Sequence, residues 1–242
     1  MPFPGDHEYS LGAWADEIKN VPPEGTLGSC QVCLGVPQSP QFEKCFKCGM
    51  VWTLQPLFDR LTLIAPCSVA ISGTPWYSAV YNYKAGQMKD KAPLLVMVLH
   101  NWLLNHWERV ETALGGEPGR VMVVPSRKRA FPTPLGRVVE AVFQAPLDQR
   151  VVHKEGSQRP KRDVPDVGSF DVTEPVAGSR ILLIEDTWVG GQTAVSTALA
   201  LAAKDAEAIA LVSIARMVYP DSMTPEYQQE TEGPIDFSRW PR

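Results

Sequence analysis

The sequence predicts an α/β fold, an open and mostly parallel sheet with a small cysteine module in front of it. Three stretches carry that expectation. Residues 181–193 read Ile-Leu-Leu-Ile-Glu-Asp-Thr-Trp-Val-Gly-Gly-Gln-Thr, an apolar run that stops at two carboxylates and a loop with paired glycines. Residues 194–203 have the Ala/Leu composition of a helix, and residues 208–217 the Ile/Val/Leu composition of a strand. Strand, loop, helix and strand in this order make a βαβ unit, whose strands are expected to be parallel neighbours with a right-handed crossover. The third stretch, Cys30-x-x-Cys33 and Cys45-x-x-Cys48, belongs to the module in front.

The order of groups in residues 181–193 also suggests chemistry. A continuous apolar run reads as a strand buried on both faces. Glu185 and Asp186 should then emerge at its carboxyl end, where open α/β sheets bind ligands. The glycines that follow let backbone N–H groups approach an anion, and the loop feeds a helix N-terminus that favours negative charge. Acidic side chains beside an anion cradle repel a bare phosphate, but they suit a ligand with sugar hydroxyls at one end and phosphate at the other. An ordinary buried strand followed by a Gly-rich turn has the same pattern.

Composition sets the bounds. The chain has 242 residues, enough for one good-sized domain plus a small module, and 44% of them are hydrophobic, enough for a full core. A formal charge of −4 argues against a generally basic nucleic-acid binder while leaving room for a local patch. No apolar run approaches the roughly 18 residues that span a membrane, and the first residues lack the basic and apolar regions of a signal peptide. The expectation is a cytoplasmic protein, in which five cysteines point to metal ligands and a spare thiol before disulfides.

Along the chain, Leu11, Trp14, Ala15 and Ile18 recur at the spacing of a short amphipathic helix. The two Cys-x-x-Cys knuckles are separated by eleven residues, a spacing that brings four thiolates around one tetrahedral Zn²⁺ as in zinc ribbons. Two redox pairs are the alternative. With Cys30, Cys33, Cys45 and Cys48 all engaged, such a metal has no open position and serves folding. Cys67 sits among apolar residues and reads as packing. Alternating aromatics over residues 79–83 suggest a strand, and Ala92–Leu114 a long helix whose buried face carries Leu95, Val98, Leu99, Trp102, Leu103 and Trp107. His100 and His106 lie six apart, the wrong spacing to share a metal on one helical face. A strand over residues 121–124 ends in Pro-Ser-Arg-Lys-Arg, either an anion site or a solvated basic turn. Residues 135–145 read as a helix. Residues 148–171 are polar and charged, too long for a tight connection, and read as a lid or basic hood or else as a disordered excursion. After Met217 comes an acidic tail with Pro220, Pro225, Pro234 and Pro241. The expected division is residues 1–55 for the N-terminal segment and ribbon, 56–219 for the α/β domain, and 220–242 for the tail.

Residues 181–193 resemble the phosphoribosyl-pyrophosphate (PRPP) signature of type I phosphoribosyltransferases, with Glu185, Asp186, Gly191 and Thr193 matching. The double Cys-x-x-Cys, Tyr83-Lys84-Ala85-Gly86, the Val124-Pro125 strand end with its basic residues, Val167-Gly168-Ser169-Phe170, Gly178-Ser179-Arg180 and Ala215-Arg216 follow in the order seen in the ComF family of phosphoribosyltransferase-like proteins. The resemblance covers about residues 28–218. It implies a type I phosphoribosyltransferase sheet with a flexible hood and an N-terminal zinc ribbon built on four cysteines. It also implies that Glu185 and Asp186 hold the ribose hydroxyls and that Thr187, Val189, Gly190, Gly191, Gln192 and Thr193 wrap the 5′-phosphate. Ser126, Arg127 and Lys128 would meet the diphosphate with Mg²⁺, and Arg159 or Arg162 in the hood would close over the leaving group. Transfer of phosphoribosyl to a nitrogen base, with release of pyrophosphate, is the reaction implied. The sequence departs from the pattern at Val189 and Gly190, where the family has two threonines, and at Arg129-Ala130-Phe131-Pro132, where it has Arg-Gly-Phe-Asn. The alternative expectation is a non-catalytic ComF-like protein that binds single-stranded DNA or a DNA-uptake partner through the ribbon and the basic segments 127–129 and 154–162.

Overall fold

The structure, a computed structural model, describes residues 3–51, 57–84, 91–129, 131–157 and 165–239. Its centre is a parallel sheet of five strands: β1 (Leu61–Pro66), β2 (Val69–Ile71), β3 (Arg120–Val123), β6 (Arg180–Trp188) and β7 (Ala208–Val218). Two further strands, β4 (Val151–His153) and β5 (Phe170–Val172), pair antiparallel as a separate hairpin. The central order is β3-β6-β7-β1, and β2 continues the edge begun by β1 along the far end of β7. Between the two edge strands, Cys67 N–H donates to Ser213 O and Arg216 N–H donates to Ser68 O, so the ladder survives the break.

β6 and β7 are parallel neighbours from Arg180↔Ala208 to Trp188↔Arg216, as the βαβ reading expects. The helix between them, α5, spans Gln192–Ala202. Both faces of the sheet are covered, which is why these strands are apolar throughout. Leu182 and Ile184 of β6 face one core, shared with α2 (Pro75–Asn82), α3 (Ala92–Leu114) and α4 (Pro134–Phe143). Ile181 and Leu183 face the other, shared with α5 and, at its far side, Cys30, Cys33, Cys45 and Cys48. Period-two alternation within one continuous apolar run feeds two cores at once.

Three expectations need correction. Residues 79–83 are not a strand: they end α2, whose first turn is set by Thr74 as N-cap to Tyr77 N–H and by Pro75 at the first helical position. The buried residues Trp76, Ala79, Val80 and Tyr83 follow helical spacing, and Tyr77 and Tyr81, four apart, stack with ring planes 5° from parallel. The N-terminal amphipathic helix shrinks to a single 3-10 turn, Gly12–Ala15, although Ile18 is fully buried as its spacing suggested. Finally, β6 does not stop at Ile184. Glu185 and Asp186 lie inside the strand, which runs on to Trp188 because Glu185, Thr187 and Trp188 still pair with β7.

The tail after β7 packs back on the body. Its helix α6 (Pro225–Thr231) buries Tyr227, whose hydroxyl donates to Leu34 O (2.9 Å) in the first cysteine knuckle. Asn20 Nδ2 donates to Glu232 O and Pro234 O, and its side-chain oxygen accepts from Asp236 N–H. His106 Nε2 donates to Phe237 O. Both α3 histidines, His100 and His106, are buried packing residues. No helix among the described residues is long and apolar enough to cross a membrane.

Candidate functional site

In a parallel sheet every strand delivers its carboxyl end to the same edge. β3 and β6 are direct neighbours with Val123 opposite Ile184, and Val124 N–H extends the ladder to Ile184 O (2.9 Å). The loop of residues 126–128 therefore leaves the sheet beside Glu185 and Asp186. Ser126 is half-buried, whereas Arg127, Lys128 and Arg129 are exposed. A third segment joins them from the end of α2. Tyr83 Oη donates to Asp186 Oδ2 (2.7 Å), Lys84 Nζ forms an ion pair with the same oxygen, and Arg129 donates to Lys84 O (3.2 Å). Three chain segments far apart in sequence are thus linked: Tyr83 and Lys84 contact Asp186 directly, and Arg129 joins them through Lys84.

That carboxylate is only 1% exposed. Burial alone would raise its pKa, but the Lys84 ammonium, helped by hydrogen bonds from Lys84 and Tyr83, holds it below the ordinary range. Glu185 behaves oppositely: burial first, then the neighbouring Asp186 charge, push it well above the usual carboxylate value. The two acids are thus pushed in opposite directions, the usual outcome when two carboxyl groups share a poorly hydrated site. Tyr83 and Lys84 were not among the site residues expected from sequence. The Tyr-Lys-x-Gly motif was visible, but nothing in its spacing connects it to a carboxylate about a hundred residues away.

The loop after β6 has the features of an anion cradle. Gly191 adopts a left-handed φ of +76°, and a Cβ there would meet the Trp188 indole at 2.2 Å, so only glycine fits. Gly191 is also the N-cap of α5 and has no capping side chain, which leaves first-turn N–H groups of the helix for a ligand. Val189 is exposed, while Gly190, Gly191, Gln192 and Thr193 are half-buried along the same rim. Thr187 Oγ1 donates inward to Asp186 Oδ1 (2.9 Å), so its hydroxyl serves the carboxylate and not the cradle. Beneath the loop lies Arg216 of β7, 7% exposed, whose Nη1 donates to Trp188 O (2.8 Å), Val189 O (2.9 Å) and Met217 O (2.6 Å).

The hairpin β4–β5 lies over α5, tied to it where Ser196 Oγ accepts from Asp166 N–H (2.8 Å). Residues 148–171 accordingly hold a strand pair, which the hood reading did not anticipate. Arg159 and Arg162 lie outside the described residues.

The structure brings Cys30, Cys33, Cys45 and Cys48 together. All four sulfurs lie within 4.8 Å of one another, and Cys33 Sγ and Cys45 Sγ are 3.9 Å apart. Tetrahedral Zn–S bonds of about 2.3 Å place neighbouring sulfurs about 3.8 Å apart, so the donor set and spacing fit such an ion. The first knuckle is a tight turn in which Cys30 N–H donates to Gly35 O and Leu34 N–H to Cys30 O, with Leu34 at a φ of +52°. Cys67 is fully separate, a buried thiol whose pKa burial alone pushes up. Comparison with protein-family models and with curated proteins finds no match to either.

Proposed function

We propose that the chain binds PRPP, or a related ribose 5-phosphate, at the carboxyl edge of β3 and β6, and transfers phosphoribosyl to a nitrogen base with release of pyrophosphate. The observation that carries this reading is the gathering of a buried acidic pair near the end of strand β6, the glycine-bearing N–H loop that follows it and, on the loop after the adjacent strand, a hydroxyl with three exposed cations. A sugar phosphate needs acceptors for its hydroxyls and donors for its phosphates, and few other ligands need both within one site. The type I phosphoribosyltransferase sheet and the ComF resemblance belong to the same proposal.

In this reading Asp186 and Glu185 accept hydrogen bonds from the ribose 2′- and 3′-hydroxyls. Residues 189–193 hold the 5′-phosphate through backbone N–H groups and the Thr193 hydroxyl. Ser126, Arg127 and Lys128 meet the diphosphate, which would bring Mg²⁺ with it. Because Tyr83 and Lys84 cover Asp186, the sugar must displace the ammonium, which is then free to follow the negative diphosphate. Catalysis would rest on positioning and on charge stabilisation at the leaving group. Zn²⁺ on Cys30, Cys33, Cys45 and Cys48 would stabilise the ribbon, and four thiolates that must stay reduced suit a cytoplasmic setting.

The test is a thermal-shift titration with PRPP and Mg²⁺ against ribose 5-phosphate and pyrophosphate. Near 100 times Kd the ligand should add about 2.7 kcal/mol, a shift of several degrees for a chain of this size. Asp186→Asn should abolish it; a PRPP shift that survives this substitution overturns the reading. A second reading, single-stranded nucleic acid, is favoured by the stacked pair of Tyr77 and Tyr81, with Tyr81 65% exposed, and by the exposed basic run over residues 127–129. It requires binding that weakens steeply with salt and with loss of those cations.

A further inference from the structure

The geometry points to Arg216 as a positioning residue that couples the anion loop after β6 to the metal held by the cysteine cluster. Its guanidinium lies between the two. On one side Nη1 holds the carbonyls of Trp188 and Val189. In a trans peptide the C=O and N–H point in opposite directions. Fixing Trp188 O and Val189 O on Arg216 therefore turns the N–H groups of Val189 and Gly190 away from it, toward the rim where a phosphate would sit. Neither N–H has an acceptor among the described residues. The two positions where threonine hydroxyls are missing, Val189 and Gly190, are thus the two whose backbone donors Arg216 orients.

On its other side the guanidinium packs on the first cysteine knuckle. A Cβ on Gly35 would stand 2.1 Å from Arg216 Nε and 2.2 Å from Nη2, so Gly35 is the space the group occupies. Gly35 O in turn accepts from Cys30 N–H. Arg216 Nε is sealed from solvent and has no partner among the described residues. A divalent ion on four thiolates leaves a net charge of about −2, and a buried cation against the knuckle offsets part of it. One side chain thereby answers to the metal charge and sets the direction of the loop. That the loop's ligand is a ribose phosphate rests on the reading above; the coupling itself does not.

The experiment compares the zinc-loaded full chain with Arg216→Lys, which keeps a charge but not the planar fork, and with Gly35→Ala, which displaces the guanidinium from the ribbon side without altering β7. Gly35 is outside the left-handed region, and the three atoms nearest to an added Cβ all belong to the Arg216 guanidinium. Two signals are read without any ligand: the rate of zinc release to a chelator, and the backbone amide resonances of Val189, Gly190 and Gly191. Both variants should release zinc about tenfold faster and shift or broaden those resonances. Their ribose 5-phosphate affinity should fall about tenfold, the value of one hydrogen bond to a charged group. Faster release with unmoved resonances overturns the coupling, because Arg216 then serves the metal alone. Moved resonances with unchanged release overturn it equally. If ribose 5-phosphate fails to bind even the parent chain, the proposed ligand falls while the two ligand-free signals still decide the coupling.

Discussion

At the scale of single residues, the chemistry turns on Asp186 having two donors, Tyr83 and Lys84, that arrive from another part of the chain. Replacing Lys84 with Met strands a buried carboxylate. Lys84 keeps about a third of its side chain in water, so solvent takes up some of the loss, and unfolding by urea should show a cost of about 2–3 kcal/mol. Adding Asp186→Asn to the same chain should recover most of it, since the stranded charge is gone. Glu185 supplies the opposite sign. Its folded-state pKa is raised, so the stability it contributes is complete below its unfolded pKa and is lost as pH rises toward the folded value. Glu185→Gln mimics the protonated acid. It should match the parent near pH 4 and gain on it by up to about 1.4 kcal/mol per pH unit above that, until the folded group ionises. Denaturant midpoints at pH 4, 6 and 8 give the slope, and a flat difference means Glu185 is ionised in the fold.

Elements show where local pattern is informative and where it is ambiguous. The β6–α5–β7 unit was legible because its apolar runs, its glycines and its Ala-rich helix all agree. The end of α2 was not. Residues 79, 81 and 83 alternate like a strand, while 76, 79, 80 and 83 repeat like a helix, and the choice falls to Thr74-Pro75, a cap and first-turn signal lying just upstream. Thr74→Ala should cost about 1 kcal/mol. Because α2 ends at Tyr83, it should also loosen the hydrogen bond to Asp186, read as a changed environment of the Tyr83 ring. The end of β6 was hidden for another reason: two carboxylates look like a strand terminus, and only the pairing of Glu185 and Thr187 with β7 shows that the strand continues. The four-cysteine cluster was legible from spacing alone, but not its contact with Arg216, since no pattern within either segment refers to the other.

For the molecule as a whole, the acidic tail is part of the fold. Tyr227 is fully buried against the cysteine knuckle, and Phe237 is buried beside α3, where its carbonyl accepts from His106. Prolines at intervals mark turns but not destinations, which is why the tail's course could not be read ahead of the structure. Deleting residues 220–242 removes two large buried aromatics, each worth about 3–5 kcal/mol by truncation, and at about 2–4 °C per kcal/mol the melting temperature should drop by roughly 10 °C or more. Zinc should also leave the shortened chain faster, because the knuckle loses the Tyr227 cover over Leu34.

The contact between the first knuckle and the last strand also has a consequence in time. Cys33 leaves the ribosome about 180 residues before Arg216, and Tyr227 comes later still. At about 5–20 residues per second, the young thiols wait roughly 10–40 s before the guanidinium and the phenol that cover them exist. During translation the cysteines are thus open to metal and to oxidants alike, and only the finished chain shuts them in.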